Sequence, residues 1–252
     1  MEAFYRRIEI PMSTKANTFD QIVEERRSIR KFDIKAAFDH DAVKRSIDRA
    51  ILSANSSNMQ LWEFYRVKSE KARADISTIC LGQNAAKTAN EMVVFVARPD
   101  LWKDRQEKLV NYFLTVMPDK TARKAKMTYS YYEQFIPQLY NVSIPWFHDM
   151  KMKALILKNK SKPFMRDIMT RDVPIITHKS VALAAQTFML SIKAEGYDSC
   201  PMEGHDSVRL KKYLNLPDAA EISMVIGVGK GLPEGIYGDR FRIPNEDVIF
   251  EL

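Results

Sequence analysis

His178-Lys179-Ser180-Val181-Ala182-Leu183-Ala184-Ala185-Gln186-Thr187-Phe188-Met189-Leu190-Ser191-Ile192-Lys193-Ala194-Glu195-Gly196 is apolar almost all round a helical wheel. A surface helix needs only one apolar stripe, so this helix is buried on most sides and lies between layers. Gly196 stands where a residue of positive φ ends a helix. Two continuous apolar runs, Met92–Ala97 and Ile222–Val228, read as buried strands that such a helix can cover, and Trp62–Val67 reads as a third strand. Together they predict an α+β protein of mixed layers.

Outward from this core, Thr18-Phe19-Asp20-Gln21 has the form of a capping box and predicts a helix starting there. Val43, Ile47, Ala50, Ile51 and Ala54 predict a helix over 41–54, ended by the polar Asn55-Ser56-Ser57-Asn58. Short helices are expected at about 70–80 and 206–214, and a closing β-like stretch at Val248–Leu252. No linker or repeat divides the chain. We expect one domain over 1–252, with an N-terminal arm (1–17) and an inserted helical segment at about 100–170. That insert holds Tyr112, Phe113, Tyr129, Tyr131, Tyr132, Phe135, Tyr140, Trp146 and Phe147, which are either core or the walls of a flat-ring pocket.

The 252 residues include 46% hydrophobic and 28% charged ones, a globular balance. The net charge of +7 suits nucleic acid, anionic lipid or phosphorylated small molecules without choosing among them. The basic run Lys151–Lys162 reads as a solvated helix or loop in preference to a nucleic-acid patch. Two distant cysteines, Cys80 and Cys200, fit a reducing compartment. Met1–Ile10 lacks the apolar run of a signal peptide, and the apolar strands fall short of the ~20 residues of a spanning helix. A cytoplasmic location is expected.

Several chemistries lack their residues. No G-x-S-x-G elbow is present, and the four histidines and two cysteines show no metal-ligand spacing. Gly227-Val228-Gly229-Lys230-Gly231 follows a strand, but Leu232-Pro233 comes next, so no helix N-terminus receives a pyrophosphate. It reads as a turn.

Arg26-Arg27-Ser28-Ile29-Arg30-Lys31-Phe32 offers more. In an extended chain Arg26, Ser28 and Arg30 alternate onto one side, where guanidinium forks suit a terminal phosphate. Read alone, it is also an ordinary basic helix end. In Asp239-Arg240-Phe241-Arg242-Ile243-Pro244, Arg240 and Arg242 likewise share one side. The two clusters together suffice for one dianion.

These segments resemble, in order, four motifs of the FMN-dependent nitroreductase family. The first is Arg26–Phe32. The second, Asn55-Ser56-Ser57-Asn58-Met59-Gln60-Leu61-Trp62, is similar to the family's S-S-x-x-Q-P-W segment. The third, Gly196-Tyr197-Asp198-Ser199-Cys200-Pro201-Met202-Glu203-Gly204, is similar to its glycine-led P-x-E-G turn. The fourth is Arg240-x-Arg242-Ile243-Pro244. The resemblance implies a three-layer sandwich, a central mostly antiparallel sheet flanked by helices, whose C-terminal tail extends onto a partner subunit.

It also implies site roles. Arg26, Arg27, Ser28 and Arg30, with Arg240 and Arg242, would hold the phosphate and ribityl chain of FMN. Asn55, Ser56 and Asn58 would reach the flavin of the partner in a homodimer. Pro201, Met202, Glu203 and Gly204 would pass along one face of the ring, the glycine allowing close backbone approach. NADH or NADPH would deliver a hydride to flavin N5, and a flat acceptor such as a nitroaromatic or quinone would then take two electrons in a ping-pong cycle. No catalytic side chain and no metal is expected, nor a nucleic-acid or membrane partner. Other flavin reactions of the same superfamily (reductive dehalogenation, substrate oxidation, flavin fragmentation) and a non-catalytic flavin-binding or regulatory role remain open.

Two departures stand out. Leu61 and Ala54 occupy positions where the family usually has proline, which predicts a looser N-terminal side of that loop. The family's asparagine before its second strand has no clean counterpart; Gln83 or Asn84 is the candidate substitute.

Overall fold

The computed structural model describes residues 13–252. Most of the expected arm, residues 1–12, lies outside the described residues. The chain then runs α1 (Thr14–Glu25), α2 (His40–Ala50), β1 (Trp62–Val67), α3 (Glu70–Ile79), α4 (Asn84–Lys87), β2 (Glu91–Ala97), α5 (Trp102–Val116), α6 (Arg123–Ser130) and α7 (Ile136–Tyr140). There follow α8 (Pro145–Lys158), α9 (Asp172–Ala194), β3 (Asp198–Met202), α10 (Ser207–Tyr213) and β4 (Glu221–Gly229). A π-helical turn, Tyr131–Phe135, joins α6 to α7.

The four strands form one sheet in the order β1-β2-β4-β3, with every neighbour antiparallel. The period of two in β2 divides the core. Met92, Val94 and Val96 face α3, α4 and α10 through Ile76, Cys80, Ala85 and Leu210. Val93, Phe95 and Ala97 face α2 and α9 through Val43, Val181, Ala184, Phe188 and Ile192. Every residue of β2 is buried, as its unbroken apolar run requires. The result is the expected three-layer sandwich with helices on both faces.

Helix α9 is the central helix anticipated from its all-round apolar character. By length and composition it could cross a membrane, yet half of its apolar window is buried against the sheet, as befits a core helix. It ends in a Schellman arrangement: Gly196 has φ +82°, Tyr197 N donates to Ile192 O at 3.1 Å, and Gly196 N donates to Lys193 O at 3.0 Å.

Four local expectations are corrected. Helix α1 starts before Thr18, capped by Ser13, whose Oγ accepts Ala16 N; the Thr18 hydroxyl donates instead to Thr14 O inside the helix. Helix α2 stops at Ala50, because Ser53 binds Thr187 Oγ1 and Asn55 Oδ1 accepts Gln60 N, giving the chain local alternatives to helix. Gly227 and Gly229 lie within β4 and do not form a turn. A Cβ on Gly227 would meet Ala85 O at 2.8 Å, and one on Gly229 would meet Asn90 Oδ1 at 2.4 Å. Gly227 lets α4 sit directly on the sheet, and Gly229 does the same for Asn90 and Phe32. Finally, Val248–Leu252 forms no strand and is exposed, since among the described residues no strand lies beside it.

Strand β3 escaped the sequence reading because Pro201 argues against a strand. It is an edge strand, where a residue without N–H is tolerated.

The insert has its own small core: Leu109, Ile136, Leu139, Tyr140, Met152, Ile168 and Val173, joined by Met59 and Leu61. Several of its aromatics are therefore core. Leu61, at a proline position of the family, is buried in that core.

Both cysteines are buried. Burial pushes the Cys80 thiol up to about 11, and burial raises Cys200 as well, against an opposing effect of the Arg30 charge. Neither is therefore expected to react with an aromatic disulfide reagent at neutral pH until the chain is unfolded. Rapid labelling of the native protein would contradict this packing.

Candidate functional site

The segment after α1 is pinned between β3 and the C-terminal tail. Ser28 bridges Ser199 in parallel, Ile29 N donates to Ser199 O at 3.1 Å, and Arg30 N donates to Gly235 O at 2.9 Å. Phe32 pairs with Gly231, and Leu232 N donates to Lys31 O at 3.0 Å. Ile29 and Phe32 point into the core, which turns their polar neighbours outward. Gly235 permits the crossing, since a Cβ there would meet Lys31 N and O at 2.8 Å.

This crossing brings the two ends of the sequence together. Arg26, Arg27, Ser28, Arg30, Arg240 and Arg242 line one cleft of about 430 Å³, with Tyr237 and Gly238. The guanidiniums divide by role. Arg27 donates to Gly238 O at 2.6 Å, and Arg240 donates to Glu24 O at 2.8 Å and Arg26 O at 2.6 Å. Arg27 thus ties down the tail, while Arg240 satisfies carbonyls at the C-terminus of α1. Arg242 donates to Phe241 O at 2.7 Å. Among the described residues, the guanidiniums of Arg26 and Arg30 donate to no protein acceptor.

No carboxylate lies within 4.0 Å of any of these five arginines among the described residues. Burial, then the charges of Arg240, Arg242 and Arg27, hold the Arg26 guanidinium below its ordinary value. A cluster of cations that repel one another, with unused donor forks, is the donor set for a dianion.

A second cleft of about 390 Å³ adjoins the first and shares Ser28, Arg30 and Tyr237 with it. Its other walls are Gln83, Asn84, Cys200, Pro201, Met202 and Glu203. The site therefore continues from a charged end into a mixed one along the C-terminal end of β3. Gln83 Nε2 donates to Gly204 O at 2.6 Å, and a Cβ on Gly204 would meet that nitrogen at 3.1 Å. A larger residue at 204 would therefore press on the Gln83 amide, which would have to shift by a few tenths of an ångström. Asn84 Nδ2 donates to Tyr237 Oη at 3.2 Å, and the Arg30 guanidinium lies 5.0 Å from the Tyr237 ring centroid. Both substitutes for the family's asparagine border the site.

Tyr237 was missed. It joins the two clefts, but its neighbours in sequence show no period that marks it.

Asn55, Ser56 and Asn58 line neither cleft within one chain. Asn58 and Ser57 adopt φ of +52° and +53°, with Gln60 at +51°. Such left-handed backbone in residues other than glycine is held by its surroundings. Tyr132 Oη donates to Ser57 O at 2.8 Å, the Tyr131 and Ser57 hydroxyls lie 2.6 Å apart, and Ser56 N donates to Ser180 Oγ at 3.1 Å. The insert thereby braces this loop.

Comparison with known proteins agrees with this fold. The model of the nitroreductase family matches residues 23–230. Over 102 residues the chain is 31% identical to "Putative NAD(P)H nitroreductase MhqN" of Bacillus subtilis, covering 40% of this chain and 46% of that protein. Protein DrgA of Synechocystis is 25% identical over 223 residues, covering 85% of this chain and 84% of its own length. A crystal structure from Exiguobacterium sibiricum, described as a "putative nitroreductase in complex with FMN", superimposes with a TM-score of 0.65 at 19% identity, covering 93% of this chain and 97% of that one. With its fold, its paired arginine segments and the span of the match, the chain belongs to the nitroreductase family.

Proposed function

We propose that the chain is an FMN-dependent NAD(P)H oxidoreductase whose arginine cleft takes the FMN phosphate. One observation carries this reading: guanidiniums from both ends of the sequence converge without a carboxylate partner. The FMN bound to one structural relative and the NAD(P)H in the name of another support it.

Bound FMN would supply a two-electron carrier between NADH or NADPH and an acceptor that use the site in turn. The chain's own residues bind and orient. Arg26 and Arg30 would hold phosphate oxygens with their free forks, and Arg242 would add charge. Ser28 would offer a hydroxyl, while Arg27 and Arg240 keep the tail in place. Pro201, Met202, Glu203 and Gly204 would border the ring, with Gln83 fixing the Gly204 carbonyl. Arg30 lines both clefts and so would bring its charge to the ring end as well.

A homodimer would bring Asn55, Ser56 and Asn58 of one copy to the cleft of the other. The exposed Phe241, Ile243, Ile249 and Phe250 of the tail give that contact an apolar surface. A flat acceptor, a nitroaromatic or quinone, is suited to stacking against exposed rings of the insert such as Tyr131 and Phe135, which themselves stack with centroids 5.2 Å apart.

The test is spectroscopic. Protein reconstituted with FMN should bleach under NADH or NADPH without air and regain its absorbance on adding a quinone or nitroaromatic. Failure to bleach with either nucleotide would overturn the proposed electron donor.

A further inference from the structure

The basic run Lys151–Lys162 takes no part in the cofactor site. Its lysines lie on α8 and the turn after it. The helix buries His148 and Met152 and half-buries Leu155 and Ile156, so its inner face belongs to the core of the insert. The other face is apolar without being covered. Trp146, Met150, Lys153 and Leu157 follow at helical spacing, and Trp146 and Leu157 are 69% and 67% exposed. Phe147 lies at the edge of this stripe, half exposed.

Lys151, Lys153, Lys158, Lys160, Lys162 and Arg166 surround it, all exposed. Among the described residues none of the six forms an ion pair. The carboxylate of Asp149, half-buried, accepts Thr170 N at 2.8 Å, and Asp167 is exposed beside the lysines.

We propose that α8 and the turn after it form an interfacial anchor for an anionic lipid bilayer. Trp146, Phe147, Met150 and Leu157 would enter the boundary between headgroups and acyl chains, and the lysines would lie on lipid phosphates, their stems over the apolar stripe. The alternatives fit less well. A second copy laid face to face here about a two-fold axis would oppose six cations with six more. Nucleic acid would use the cations but gain nothing from a stripe of Trp, Met and Leu lying between them. A helix face of large apolar side chains flanked by lysines is the form that a lipid surface selects. Peripheral binding of this kind needs no spanning segment, so it revises the expectation of a chain without a membrane partner.

The experiment is co-sedimentation of the full chain with vesicles, a readout independent of flavin. We expect binding to vesicles of phosphatidylcholine and phosphatidylglycerol in equal parts, weakening as salt rises, and little binding to phosphatidylcholine alone. K151E/K153E should weaken binding at least ~30-fold, whereas K151R/K153R should retain it. W146S/L157S, which leaves the charge unchanged, should also weaken it. Circular dichroism would establish that these surface variants keep the fold. Absence of binding to the anionic vesicles at low salt overturns the proposal. So does equal binding to both vesicle types, an anionic binding that W146S/L157S leaves intact (a polyanion site such as one for nucleic acid), or a smaller oligomer in W146S/L157S (an interface between copies).

Discussion

Arg26→Ala is expected to lower FMN affinity about a hundredfold, and Arg30→Ala to do nearly as much. Both side chains present forks with no protein acceptor among the described residues, in a cleft where Arg26 is already crowded by Arg240, Arg242 and Arg27. Truncating one partner of a desolvated charge pair costs about 2–5 kcal/mol; the low end applies because the cleft is open, and it corresponds to roughly 30- to 100-fold. The measurement is titration of apoprotein with FMN, followed by flavin fluorescence, at two salt concentrations. Wild-type affinity should fall as salt rises, and each variant should be less sensitive. The melting temperature is a second readout, because FMN at a hundred times its Kd stabilises a folded chain by about 2.7 kcal/mol, an increment the variants should lose at the same concentration. Arg240→Ala should behave differently. Its fork holds Glu24 O and Arg26 O, so its loss should lower the melting temperature even without FMN. If Arg26→Ala and Arg30→Ala retain wild-type affinity, the phosphate is held elsewhere.

The largest effect on stability is expected at Glu91. Its side chain is fully buried at the start of β2, where Arg66 Nε and Nη2 donate to it at 2.6 and 3.1 Å and His40 Nδ1 lies 2.5 Å away. Arg66 also donates to His40 O, so β1, β2 and the start of α2 meet on this carboxylate. Glu91→Ala would leave Arg66 without its counter-charge and open a cavity, costing about 3–5 kcal/mol. In a chain of this size that is a fall of roughly 10 °C in melting temperature. Replacing both partners, Glu91→Leu with Arg66→Met, should recover much of the loss, because the penalty lies in the stranded charge and not in the absence of an ion pair. A Glu91→Ala variant that melts with the wild type would show that water reaches this site.

Legibility from sequence followed the range over which each signal acts. The apolar runs of β2, β4 and α9 declared themselves because burial on several sides leaves no polar face, and that property is local. The stop at Gly196 was legible for the same reason, a positive φ that favours one residue type. Elements whose form depends on neighbours were not. Pro201 sits in a strand only because β3 is an edge, and Gly227 and Gly229 are strand residues because α4 lies on the first and Asn90 and Phe32 on the second. The Asn55–Trp62 loop was visible as a polar break and a motif, but its left-handed backbone is held by Tyr131 and Tyr132, some seventy residues away in sequence.

The candidate site divides in the same way. From the sequence alone came two arginine clusters, the face each could present, and a resemblance that made one site of them. Tertiary structure decided which guanidiniums are free, and assigned Arg27 and Arg240 to carbonyls that hold the tail. It added Tyr237 between the two clefts, and it turned the basic run of α8 into a face with an apolar centre. Residue type and spacing determine what a segment is able to bind, whereas the packing of distant segments determines which of its donors remain unspent.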